Sequence, residues 1–110
     1  MAESTEYLTE TAAPSREQVD AMPGLVLLEF GTTWCGFCRA NAPRVQALLL
    51  KHPQVRHLRV EDGPGQPLGR SFKVRIWPNL VFLKDGALVR QLARPVPADL
   101  EEAFQALTAR

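Results

Sequence analysis

Leu25-Val26-Leu27-Leu28-Glu29-Phe30-Gly31-Thr32-Thr33-Trp34-Cys35-Gly36-Phe37-Cys38 holds an apolar run, a short loop and two closely spaced cysteines. The run Leu25–Phe30 reads as a central strand buried on both faces, because apolar residues do not alternate with polar ones along it. Gly31-Thr32-Thr33 reads as the loop that delivers Trp34 and Cys35. A helix is expected to open at the cysteines, with Val45, Leu48 and Leu49 on its apolar face. Pro43 lies inside that helix and predicts a kink, and the helix stops near His52-Pro53.

Working outward, residues 1–13 show no hydrophobic period and read as a flexible arm, with one domain over 14–110. No docking position is assigned to Tyr7 or Leu8. Ser15-Arg16-Glu17-Gln18 has capping-box spacing and predicts a short helix to about Met22, ended by Pro23-Gly24. Val55–Val60 alternates enough for a strand. Glu61–Pro67 holds two Gly and two Pro and reads as a loop. Leu68–Phe72 suits a short helix. Leu80–Leu83 is a strand, Lys84-Asp85-Gly86 a hairpin turn and Ala87–Leu92 the return strand. Pro97–Ala109 reads as an amphipathic helix with Leu100, Phe104 and Leu107 inward. This order of elements predicts an α/β fold, a central mixed sheet with helices on both faces.

Composition narrows the function classes. The 110 residues suit one domain, and a formal net charge of +1 makes no case for nucleic acid. Charge is unevenly spread: residues 1–20 carry five acids against Arg16, and residues 39–94 carry eleven Lys or Arg against three acids. That basic stretch reads as a solvated surface or as a guide for acidic partner proteins. No apolar run approaches a membrane span. The acidic start Met1-Ala2-Glu3-Ser4-Thr5-Glu6 has no signal-peptide pattern, so a cytoplasmic location and no membrane partner are expected. Cys35 and Cys38 are the only cysteines, and His52 and His57 the only histidines. That is too few soft ligands at the right spacing for a structural zinc site, so no metal is expected.

The pair is better suited to redox chemistry, although a bare C-x-x-C can also be half of a metal site or chance. A thiolate, not a thiol, attacks a disulfide. Free N–H groups and the dipole at a helix N-terminus favour negative sulfur. Cys35 at the helix mouth is therefore the expected nucleophile. Cys38, one turn in, is the expected resolving thiol. Gly36 permits the tight turn between them. Glu29 is a lone acid in an apolar strand, where burial favours its neutral form. A carboxyl group of that kind behind a dithiol could take the proton from Cys38; the other reading is that Glu29 ends the strand and reaches solvent.

Several motifs in order give the sequence a resemblance to the thioredoxin superfamily over roughly residues 15–108. Leu28-Glu29-Phe30 followed by Trp34-Cys35-Gly36-Phe37-Cys38 resembles the family's strand and active-site loop. Pro43 falls where the family kinks its active-site helix. Val74-Arg75-Ile76-Trp77-Pro78-Asn79-Leu80 resembles the family's cis-proline segment, and Phe82-Leu83-Lys84-Asp85-Gly86 its final hairpin. The resemblance implies that Pro78 is cis and packs beside the dithiol. It also implies that the backbone at Trp77 bonds an extended substrate strand, with Trp34, Gly36 and Phe37 flanking it.

The sequence departs from the family at several places. Phe37 replaces a proline, and Glu29 stands where thioredoxins usually carry Asp. Gly31 replaces a bulky aromatic, and Arg94 falls where a glycine lets partners approach. Trp77 either fills the space left at Gly31 or lines the substrate groove. Arg59 aligns with a family lysine near the buried acid, with an uncertain register. Phe37 adds no charge beside the cysteines, so a reducing potential of roughly −270 to −220 mV is expected.

The implied activity is reduction of protein disulfides through Cys35 and Cys38, with Glu29 moving protons. No cofactor beyond that dithiol is expected, because the chain lacks a dinucleotide-binding fingerprint. The expected partners are disulfide-containing proteins and an external electron-donor reductase, and the expected state is a monomer. A disulfide oxidase or isomerase, an interaction module with a regulatory dithiol and a glutaredoxin-like enzyme are the competing readings.

Overall fold

The computed structural model describes residues 6–109. In chain order the elements are α1 (Arg16–Asp20), β1 (Leu25–Gly31), α2 (Gly36–Lys51), β2 (Val55–Glu61), α3 (Pro67–Ser71), β3 (Asn79–Lys84), β4 (Ala87–Ala93) and α4 (Pro97–Thr108). The sheet order is β2-β1-β3-β4. β1 runs parallel to β2 and antiparallel to β3, and β4 closes an antiparallel hairpin with β3. The mixed sheet flanked by helices is the architecture that the order of elements predicts.

Apart from Glu29 and Gly31, β1 is apolar, because it has no solvent side. Val26, Leu28 and Phe30 face a core with Val81, Leu83 and Val60, covered by Val19 of α1 and by Leu68 of α3 with Phe72 beyond it. Leu27 faces the opposite core with Leu80, Phe82, Val45 of α2, and Leu100, Phe104 and Leu107 of α4. Each such Leu or Phe contributes about 1.5–3 kcal/mol by leaving water. Side chains alternate across a strand, so Glu29 and Gly31 fall on the α2/α4 side with Leu27.

The local signals act where they were read. Ser15 and Gln18 form both halves of the capping box of α1. The Arg16 guanidinium lies 3.9 Å over the Phe72 ring and donates to the Ser71 carbonyl at 2.7 Å, tying α1 to α3. α2 runs unbroken through Pro43, which supplies no amide for the carbonyl one turn back.

Two findings differ from the expectations. The arm was read as flexible over residues 1–13. Of that stretch, residues 1–5 lie outside the described residues, while Leu8 bridges Val60 on the outer edge of β2. The Leu8 amide donates to the Arg59 carbonyl at 2.8 Å, and the Glu61 amide donates to the Leu8 carbonyl at 2.9 Å. A single bridge leaves no hydrophobic period, which is why the sequence carried no sign of it. It covers an edge strand whose backbone groups would otherwise be open to another chain. The first helix also stops at Asp20, short of Met22.

The β3–β4 turn requires its residues. Asp85 and Gly86 both have positive φ, 50° and 82°, as a two-residue hairpin loop demands. The Asp85 carboxylate accepts from the Gly24 amide at 2.7 Å, which ties the turn to the start of β1. A Cβ on Gly86 would also run into the Asp20 carbonyl. Gly86→Ala is therefore expected to lower stability by at least ~1 kcal/mol. Gly63→Ala, where a Cβ meets open space, is expected to stay within about 0.5 kcal/mol of the parent. Urea denaturation midpoints of the two variants check this.

Candidate active site

The loop after β1 places Cys35 as the N-cap of α2, with extended backbone (φ −83°, ψ 115°). Its Sγ accepts a hydrogen bond from the Cys38 amide at 3.2 Å. The sulfur thus does what a Ser or Asp side chain does at other helix starts: it satisfies an orphan N–H and faces the positive end of the dipole. Both cysteines are free thiols; Cys35 is 7% exposed and Cys38 0%. Burial pushes the Cys38 thiol up to about 11, helped by its hydrogen bond with Cys35. A backbone hydrogen bond from Thr32 and the Tyr7 hydroxyl act in the opposite direction.

Glu29 does not reach solvent; it is 1% exposed. Nor is it alone. His57 Nε2 lies 2.7 Å from its Oε1, and Arg59 Nε lies 3.6 Å from the same oxygen. The parallel register puts Arg59 directly opposite Glu29, with His57 two residues back on the same face of β2. An open cleft of about 1000 Å³ between α2, β2 and the arm reaches Glu29 and His57.

On the outer side, the Trp77–Pro78 peptide is cis and Pro78 is buried. Trp77 meets Trp34 edge to face, ring centroids 5.5 Å apart. Its Nε1 donates to Asp62 Oδ2 at 2.9 Å. Trp34 and Phe37 stand open at 70% and 59% exposure. Arg94, at φ 48°, lies across this surface. Its Nε donates to the Trp77 carbonyl at 2.7 Å, and its guanidinium sits 3.9 Å over the Phe37 ring.

The Thioredoxin family model matches residues 6–106 of the chain. Among curated relatives, thioredoxin Asp f 28 of Aspergillus fumigatus is 33% identical over 78% of this chain and 81% of its own length. A thioredoxin H-type of Picea mariana is 33% identical over 77% of this chain and 68% of its own. Among solved structures, reduced thioredoxin 2 of Pseudomonas aeruginosa PAO1 is 48% identical, covers 96% of each chain and superposes with a TM-score of 0.82.

The chain belongs to the thioredoxin family. It is a thiol–disulfide oxidoreductase, a protein-disulfide reductase with Cys35 and Cys38 close together at the start of α2. Thioredoxins carry out this exchange with the dithiol itself.

Within that family framework three local features refine the expectations. Trp77 does not fill the space at Gly31. A Cβ on Gly31 would stand 2.6 Å from Cys38 Sγ and 2.7 Å from Tyr7 Oη, so the missing side chain is replaced by the sulfur and an arm hydroxyl. Phe37 brings no charge of its own, but the Arg94 guanidinium above it places a cation over the residue between the cysteines. Glu29 is not a lone acid: His57 Nε2 and Arg59 Nε both lie against its Oε1.

His57, Asp62 and Tyr7 went unread as site residues. His57 had a usable signal. Once Leu25–Phe30 and Val55–Val60 are paired as parallel strands, alternate residues of the second strand fall on the side of Glu29. Asp62 and Tyr7 had none, because one lies in a loop and the other in an arm without periodicity.

The burial difference gives a direct expectation for the two thiols. With its pKa raised to about 11, Cys38 stays a thiol at neutral and mildly alkaline pH. Iodoacetamide should therefore modify Cys35 first in the reduced protein, and Cys38 only as pH climbs toward 11. The sign for stability follows. A thiol whose folded pKa lies above its unfolded value of 9.0 favours folding below that value and loses the benefit as pH rises to about 11. Mass mapping of the alkylated cysteines against pH checks the order; Cys38 reacting first at neutral pH would contradict it.

Proposed function

We propose that Cys35 is the attacking thiol and Cys38 the resolving one. The observation that carries this assignment is the hydrogen bond from the Cys38 amide to Cys35 Sγ at the mouth of α2, with Cys38 itself one turn inside and fully buried. Cys35 attacks one sulfur of a substrate disulfide, and the other leaves with a proton as a thiol. Cys38 then attacks Cys35, the substrate's second sulfur departs, and a Cys35–Cys38 disulfide remains. Two electrons have passed from the dithiol to the substrate, and a separate reductase protein must return them.

Glu29, paired with His57, handles protons behind the dithiol. Its burial and its position at the cleft support this role, since protons can pass between the pair and water there. Trp34, Gly36, Phe37, Trp77 and Pro78 line the groove for an extended substrate strand. The exposure of Trp34 and Phe37 supports it, because exposed aromatics beside a reactive thiol give a partner apolar area to cover. The protein works as a cytoplasmic monomer on disulfide-containing proteins; a formal net charge of +1 makes no case for nucleic acid as a partner.

The test of the thiol roles is insulin reduction and trapping. Cys35→Ser is expected to abolish reduction, and Cys38→Ser to accumulate a stable mixed disulfide on Cys35. Adducts on Cys38, or insulin reduction surviving in Cys35→Ser, would refute the assignment.

For the acid, Glu29→Gln keeps the shape and removes the charge. Turnover is expected to fall by about 10²-fold or less, the lower range of a general acid–base contribution, with a changed pH profile. Folding stability should also fall, by about 1–3 kcal/mol, because one of the two accepting oxygens beside His57 and Arg59 becomes an NH2 that cannot accept. Paired turnover profiles and urea titrations read the two effects; an unchanged profile would remove Glu29 from proton transfer.

A further inference from the structure

Tyr7 is the only tyrosine in the chain, and it lies on the arm rather than on the sheet or helices. Its hydroxyl occupies, with Cys38 Sγ, the space that a side chain on Gly31 would need. The hydroxyl is held firmly. Arg59 Nη2 donates to it at 2.7 Å, and the guanidinium lies 4.0 Å over its ring. Leu8, the next residue, is locked to β2 by two backbone hydrogen bonds. A phenol has one proton to give and lone pairs to accept with. Arg59 can only donate, so it takes a lone pair and leaves the phenol proton free to turn toward the sulfur.

We propose that Tyr7 is a further residue of the disulfide-reduction machinery: its hydroxyl donates a hydrogen bond to the Cys38 sulfur as that sulfur becomes negative and attacks the mixed disulfide. The proposal rests on Cys38 being the resolving thiol. In that step the Cys38 thiol gives its proton to the Glu29–His57 pair behind it, the Cys38–Cys35 bond forms, and the bond between Cys35 and the substrate sulfur breaks. The substrate leaves as a thiolate and then takes a proton from water. Tyr7 transfers nothing; it stabilises the attacking charge and keeps its own proton.

The surroundings fit a donor. Cys38 is faced by Cys35 from α2, by the Thr32 backbone from the loop after β1 and by Tyr7 from the arm. The charged groups that bear on Tyr7 are Arg59 on β2 and Glu29 on β1. Burial raises the Tyr7 pKa above its usual value, and the Arg59 charge opposes that rise. The phenol therefore remains protonated and able to donate at neutral pH. Burial disfavours a Cys38 thiolate, whereas the Tyr7 hydroxyl favours it. Because Cys38 is fully buried, a donor aimed at charge developing on its sulfur counts for more than it would in water.

Tyr7→Phe tests the idea, since it keeps the ring under Arg59 and removes only the hydroxyl. Release of product from a preformed mixed disulfide on Cys35 is expected to slow by about ten- to a hundredfold at neutral pH, the scale of one hydrogen bond to a charged group. The pKa of Cys38, read by thiolate absorbance, should rise. The rate at which Cys35 first captures substrate, read in a Cys38→Ser background, should not change. A merely structural role would alter both rates or neither. Tyr7→Phe releasing product at the parent's rate would overturn the proposal. Mapping the parent's mixed disulfide to Cys38 would instead overturn the assignment of thiol roles. If Tyr7→Phe does not fold, uniform 3-fluorotyrosine marks this single tyrosine with a stronger donor of nearly the same shape. Faster product release in that protein supports the proposal, and an unchanged rate overturns it.

Discussion

β1 is hydrogen-bonded along both edges and buried on both faces, so each side chain it carries must be matched from elsewhere in the chain. For Leu27 or Phe30 the match is more hydrocarbon. For Glu29 and Gly31 it is not, and those two positions organise the site. A carboxyl group at 1% exposure needs hydrogen-bond partners, and the parallel pairing of β2 brings His57 and Arg59 against it. A glycine in a packed sheet leaves volume, and interiors tolerate little of that. Cys38 Sγ and the Tyr7 hydroxyl take it up.

Arg59 joins these two positions. It lies opposite Glu29 in the sheet register, approaches that carboxylate through Nε, and holds the Tyr7 hydroxyl through Nη2. Its backbone carbonyl also receives the Leu8 amide. The arm, the edge strand and the buried acid are thus coupled through one residue. Burying charges in this way is weak evidence for stability, since desolvation offsets most of the Coulomb attraction. Its consequence is geometric. Displacing Arg59 would disturb the acid on one side and the hydroxyl beside the Cys38 sulfur on the other. The family's buried acid and dithiol are here extended by an arm tyrosine that reaches the space Gly31 leaves open.

The fold was legible because its signals are local: the apolar run of β1, the Ser15–Gln18 capping box, the Asp85-Gly86 turn and the Pro97-initiated helix each act within a few residues. The dithiol was legible for the same reason. The site's remaining partners are not local. His57 meets Glu29 from 28 residues away, Arg59 meets Tyr7 from 52, and Trp77 meets Asp62 from 15. Such pairs depend on strand register and loop path, which no window of sequence contains. Gly31 was visible as a departure, and filling its space was one of two readings for Trp77. A tryptophan was the obvious candidate by volume. The structure fills the space with a sulfur and a hydroxyl whose arm and helix converge there.

The groove and the interior differ in how firmly they are held. Arg94 reaches the Trp77 carbonyl and covers Phe37, but it is exposed, and its backbone sits in the left-handed region at φ 48°. Its cation–π contact is of the exposed kind, about 0.5–1 kcal/mol, and its hydrogen bond contributes about 0.5–1.5 kcal/mol net. A binding partner that supplied its own donor to Trp77 would recover most of that sum. Tyr7 and Arg59 are different, because their contacts are partly buried and anchored by the Leu8 bridge. Contacts of this strength divide the site by function. Those around Trp77 and Phe37 are exposed and weak enough to be exchanged for a partner's, while those around Tyr7 and Arg59 are partly buried and tied to the sheet.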